Sequence, residues 1–331
     1  MTSRFLIAAV VALCVGCGGS SSDQQAAPPQ TVATATQPAE PQDIEEAGAK
    51  AISITGDWLS QGAGAIWLSN PPTREIYRLD PSTGETVATV RVPQLPCAAS
   101  DFGFGALWTA TCEKPGLAKI DTATNRIAAH VALPAGAADI GGEASVAAGE
   151  GAIWVVLHDD SVARIVPGSL EVVARISVRP GAAAVRAGEG GVWVTNPAKS
   201  LVQKIDPASN RVVATTRVGL TPRFLAVGEG GVWTLNQADG SVTRIDPATG
   251  EVAATIPAQV TGGGGDITTG AGSVWVRGSG YLLTRIDPET NKVAGRYGPS
   301  SGSGAVIVAP GAVWLSAHDV GTVWSLPVGS S

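Results

Sequence analysis

Apolar and polar positions alternate along most of the chain in short runs of about five residues, each run closed by Gly, Asn, Asp or Pro. Residues 224–256 show the pattern plainly: FLAVG, VWTLN, VTRID and VAATI follow one another, separated by EGG, QADG and PATG. Gly and Asn accept a positive φ and Pro presets the first turn position, so these separators predict tight reversals between antiparallel strands. After residue 48 no helical stripe of useful length occurs, and runs this short cannot serve as crossover helices.

The pattern repeats. Tryptophans at 67, 108, 154, 193, 233, 275 and 314 follow a small residue and a short apolar one, with gaps of 41, 46, 39, 40, 42 and 39. Roughly twelve residues after each comes a second signature: LDP at 79, IDT at 120, IVP at 165, then IDP at 205, 245 and 286. The seventh copy degenerates to WSL at 324. Four short strands per copy and seven copies predict an all-β, seven-bladed β-propeller of four-stranded antiparallel blades. The last copy lacks a fourth strand, and KAISITG at 50–56 supplies a spare one before the first copy. The N-terminal strand is therefore expected to complete the last blade from outside, closing the ring and hiding two edges.

This periodicity assigns most of the distinctive residues to architecture. A tryptophan in every copy fills the gap between neighbouring sheets. The aspartates of the IDP signature are turn caps, whose side chains bond to the backbone just ahead. The 42 glycines mark turn geometry and carry no phosphate-binding pattern.

The N-terminus departs from the repeat. Arg4 precedes FLIAAVVALCVG, an apolar run too short to span a membrane as a mature helix, and then Cys17 with small polar residues. Residues 1–16 resemble a bacterial lipoprotein signal peptide, which implies lipidation of Cys17; an ordinary secretory signal is the alternative. Residues 17–48 are rich in Ser, Gln, Pro and Ala and read as a disordered tether. The propeller is then expected over 49–331, on an exported protein anchored by its N-terminal lipid at the cell surface or in the periplasm. With Cys14 lost with the signal and Cys17 lipidated, Cys97 and Cys112 remain, at two ends of one hairpin on the same face. An exported chain keeps disulfides, so these two are expected to pair. The net charge of -6 provides no basic footprint for nucleic acid.

Functional residues are sought where copies differ. Asp101 and Arg186 occupy innermost-strand positions held elsewhere by Ser60, Ala147, Ala226, Thr268 and Ile307. They are expected to face the central channel and, with Arg223, Asp266 and Arg277 nearer the rim, to form a mixed-charge lining able to hold a small polar ligand. His158 and His318 share a loop position in the third and seventh blades, each followed by Asp. They are weak candidates for a divalent ion such as Mg or Ca; a solvated polar turn is the plainer reading.

VWVTN at 192–196 and KIDPASNRVVAT at 204–215 resemble the YVTN and virginiamycin B lyase-like propeller repeats. The resemblance covers residues 50–328 and implies the propeller fold. Its antibiotic lyases imply a magnesium-dependent elimination using histidine and glutamate of the upper face. The fifth and sixth copies, VWTLNQADGS and VWVRGSGYLL, contain no histidine. The favoured expectation is a monomeric, non-catalytic lipoprotein that binds a cell-envelope protein, peptide or glycan. The alternative is a metal-assisted lyase or hydrolase with its site at the upper-face loops and channel mouth.

Overall fold

The computed structural model describes residues 40–133, 143–260 and 262–328. The signal peptide, Cys17 and most of the tether lie outside these residues. Among those described, no helix is long and apolar enough to cross a membrane.

The described chain forms seven antiparallel sheets, consecutive in sequence, each starting with an inner strand and running outward. Blade one spans Leu59–Gly62 to Thr86–Arg91, and blade six Asp266–Gly270 to Lys292–Gly298. Neighbouring inner strands pack side by side, and the inner strand of blade seven, Val306–Ala309, meets that of blade one. The ring closes as the sequence implies: Lys50–Ser53 pairs antiparallel with Thr322–Pro327 as the outer strand of blade seven.

The folded unit begins earlier than residue 49. Gln42–Asp43 adds a parallel fifth strand to blade six, against Tyr297 and Gly298. Ile44, 2% exposed, then packs with Trp275, Leu282 and Leu283, while Asp43 accepts hydrogen bonds from the amides of Glu45 and Glu46. One apolar side chain in a polar segment is invisible to composition, yet its burial fastens residues 42–49 to the propeller.

The seven repeat tryptophans are buried between blades. In six of them the indole Nε1 donates to the carbonyl of a glycine five residues earlier, at 2.9–3.2 Å. Over each of these six rings lies an Arg or Lys of the third strand, 4.9–5.5 Å from the ring centre. Five of these cations also reach into the next blade. Arg78 donates to Thr122 O, Lys119 to Pro167 O, Arg164 to Pro207 O, Lys204 to Pro247 O and Arg244 to Pro288 O. Stacked cation and carbonyl bond together make a latch across each seam. At the seam from blade seven to blade one, Lys50 bonds to Thr83 O instead. Arg285 of blade six bonds to Ser273 of its own blade. Blade seven takes its outer strand from the N-terminus, so it has no third-to-fourth-strand turn to receive that latch.

The turn aspartates behave as caps. Asp80, Asp121, Asp206, Asp246 and Asp287 each accept amides two and three residues ahead, at 2.8–3.2 Å. Hydrogen bonds from these amides and from Ser hydroxyls hold the five carboxyls below the usual range. Cys97 and Cys112 form a disulfide with Cα atoms 5.5 Å apart.

Candidate functional site

All inner strands run in the same direction, so matched positions form tiers around the axis. One tier, paired with the repeat tryptophans, contains Ser60, Asp101, Arg186 and Thr268. Two residues earlier, towards the connections between blades, lie Trp58, Phe224 and Asp266. One step further in that direction are Asp57 and Arg223.

In the tier of Trp58 and Phe224 two aromatic rings meet across the axis. These rings, from blades one and five, meet with centroids 6.3 Å apart and are 4% and 2% exposed. Trp58 Nε1 donates to Ser100 O at 3.0 Å, and the Arg186 guanidinium lies 5.6 Å over the Trp58 ring. The channel is thereby divided into an upper mouth, on the side of the inter-blade connections, and a lower well opening at the turns between first and second strands.

The well has a volume of about 300 Å³ and is lined by Ser60, Asp101, Phe102, Arg186 and Thr268, among others. Asp101 accepts the amides of Phe102 and Ala148 at 2.9 and 2.8 Å. Burial raises its carboxyl above the usual range, against the attraction of Arg186 and these amides.

The upper mouth is a set of paired charges. Arg223 donates to Glu143 at 2.6 Å, and His318 Nδ1 lies 3.3 Å from Asp57 Oδ1. Burial raises the Asp57 carboxyl, opposed by His318 and reinforced by Glu143. Asp266 is 2% exposed; its Oδ2 accepts the Val306 amide at 3.2 Å, while Oδ1 has no partner. Burial outweighs the opposing Arg186 charge and pushes this carboxyl up to about 6.

The five charges expected in one lining are thus separated. Asp101 and Arg186 line the lower well, Arg223 belongs to the upper mouth, and Asp266 is buried in the tier of Trp58 and Phe224. Arg277 is buried behind the wall, where it donates to Ser316 O, Gly278 O, Ser301 O and Gly302 O. Burial pushes its guanidinium down to about 10. It gathers the 299–304 connection and offers nothing to the channel, because its N–H groups are turned to carbonyls.

The two histidine loops are likewise apart. His158 is exposed, Asp159 pairs with Arg175, and Asp160 accepts the Gly181 amide at 2.9 Å. Among the described residues, no group of three His, Cys, Asp or Glu is placed to hold a metal ion.

Two acidic residues, Asp57 and Glu143, escaped the sequence reading. Asp57 and Arg223 occupy a position held elsewhere by Ala98, Ala144, Ala183, Gly265 and Gly304, so charge among small residues was the available signal. A groove of about 510 Å³ also lies on the upper face, lined by Asp239, Pro257, Gln259 and Tyr281 of blades five and six.

Comparison with known proteins agrees with the propeller fold. Virginiamycin B lyase from Staphylococcus aureus superposes with a TM-score of 0.70 at 15% identity, over 85% of this chain and 99% of that one. The fold the two chains share is the β-propeller. BamB from Moraxella catarrhalis matches with a TM-score of 0.60 at 12% identity, over 84% of each chain. The WD40 domain of Neurospora crassa Pan2 matches at 0.65 and 11%, over 83% of this chain and 90% of that one. A family model described as a repeat of unknown function, DUF6923, matches residues 167–295. No curated protein sequence matches the chain. At these identities the likeness concerns the fold alone.

Proposed function

We propose that this propeller is a non-catalytic binding module, exported and held to a membrane through a lipid on Cys17, which engages a cell-envelope protein or peptide with its upper face. The observation that carries this reading is the open groove between blades five and six, with Tyr281 and Pro257 as apolar contacts and Asp239 and Gln259 as polar ones. Leu220, 56% exposed, stands on the same face, and its amide is bonded to Asp239. A half-buried aromatic beside an exposed aliphatic side chain, rimmed by polar groups, suits a protein partner. The charges support a scaffold role: at the mouth Arg223 and Asp57 are engaged by protein groups, and behind the wall Arg277 fixes a loop.

Cross-linking in the native envelope tests this reading. Wild-type chain should capture a defined envelope protein, and Tyr281→Ala combined with Leu220→Asp should lose it while retaining the wild-type melting profile. Capture that is indifferent to these changes would remove the groove from consideration. A stoichiometric divalent ion in protein purified from its own envelope, lost on His318→Ala, would instead favour the metal-assisted lyase or hydrolase.

A further inference from the structure

We propose that the lower well is a second binding site, independent of the upper groove, and that it takes one neutral sugar residue, free or at the end of a glycan. The argument begins with shape. The cavity of about 300 Å³ lies below the Trp58–Phe224 contact, between the inner strands, and reaches towards the face opposite the groove. That volume is large enough for a single pyranose and lies at the lower end of small-molecule sites.

The wall chemistry selects the ligand class. Arg186 donates from Nη1 to Val185 O and stacks on Trp58; among the described residues no other hydrogen bond ties its guanidinium. Its remaining N–H groups are therefore available donors. Opposite in charge, Asp101 spends one lone pair of each oxygen on a backbone amide and keeps acceptor capacity on both. Thr268, whose hydroxyl makes no hydrogen bond among the described residues, adds a group that both donates and accepts. Phe102 supplies an apolar face beside these groups.

The charges in this wall cancel, one cation against one anion. A charged ligand would bring an uncompensated charge into a partly desolvated pocket, which is costly. A neutral polyol instead offers hydroxyls that accept from Arg186 and donate to Asp101, while its C–H face rests on Phe102. The well is thus matched to groups that donate and accept at once. Its position gives the reading a structural cause: Asp101 and Arg186 are the only charged residues in a tier otherwise filled by Ser60, Ala147, Ala226, Thr268 and Ile307.

Saturation-transfer NMR and calorimetric titration of the full chain with glucose, galactose, mannose and N-acetylglucosamine test the site, with neutral oligosaccharides of each as a second arm. At least one sugar should bind, and the free and polymeric arms then identify the source. Thr268→Val and Arg186→Gln should each weaken that sugar about tenfold, the effect of one hydrogen bond lost in a desolvated wall. A crystal soaked with the same sugar should show it between Arg186 and Asp101, a readout that does not depend on the variants folding. Absence of binding by all sugars, binding unchanged in both variants, or tighter binding of gluconate or glucosamine than of glucose would each overturn the proposal.

Discussion

The Arg244 guanidinium of blade five lies 4.9 Å from the centre of the Trp233 ring, and its Nη1 donates at 2.6 Å to the Pro288 carbonyl of blade six. One side chain thereby fills its own blade and fastens the next. The same relationship recurs around most of the ring, which gives the first prediction its control.

Arg244→Met keeps the aliphatic stem over Trp233 but removes the bonds to Pro288, Asn291 and Gly230. The expected loss is about 2 kcal/mol, from the cation–π contact and charge-assisted hydrogen bonds together. Arg285→Met should cost less, because Arg285 reaches only Ser273 of its own blade. Urea unfolding of the two variants compares them, and equal losses would show that the inter-blade bond contributes nothing.

Asp266 should make stability rise as pH falls from neutrality. Its folded-state carboxyl titrates at about 6 and its ordinary value is 3.8, so between these values the folded chain binds more protons than the unfolded one. This contribution is unfavourable above pH 6 and is relieved on descending towards 3.8. Asp57 and Asp101, also raised, act in the same direction. The lowered turn aspartates oppose it only in stronger acid. Asp266→Asn should stabilise the protein at pH 7 by about 2 kcal/mol. The variant should also flatten the stability difference between pH 7 and pH 5, measured by urea melts. An unchanged pH profile would contradict this account of Asp266.

Ile44→Ala should cost about 3 kcal/mol, as for other buried aliphatic truncations. It should also expose residues 40–49 to limited proteolysis, because Ile44 is what packs this segment onto blade six. A variant cleaved no faster than wild type would show that the parallel pairing alone holds the segment.

Replacing Cys97 and Cys112 together by Ala should destabilise the chain by about 3 kcal/mol, the loop-closure value for a sequence separation of 15. Thiol titration of the unfolded, unreduced wild-type chain should find neither cysteine free.

Much of the fold was legible because its determinants are local and repeated. Trp193, the VWVTN strand and the turn at Asp206 each act within a few residues, so their recurrence announces blade number and ring closure. The latch cations are equally regular, two residues before the IDP aspartate or, for Arg164, before Val166, but their partners lie in the following blade. Their meaning emerges only when neighbouring sheets are placed side by side. Residues 42–44 look like tether in the sequence because one buried isoleucine among polar residues leaves no periodic trace.

The sequence by itself determined the seven four-stranded copies, the N-terminal closure of the ring, the capping aspartates and the cysteines placed to pair. Tertiary structure alone decided which of the irregular residues meet. Asp101 and Arg186 share a well, Arg277 turns away into carbonyls, Asp57 finds His318, and Trp58 meets Phe224 across the axis. The physical reason is that strand pairing and turn chemistry are set by near neighbours. Contacts across a closed ring depend on angular position, tier and side-chain direction, which exist only once the ring has closed.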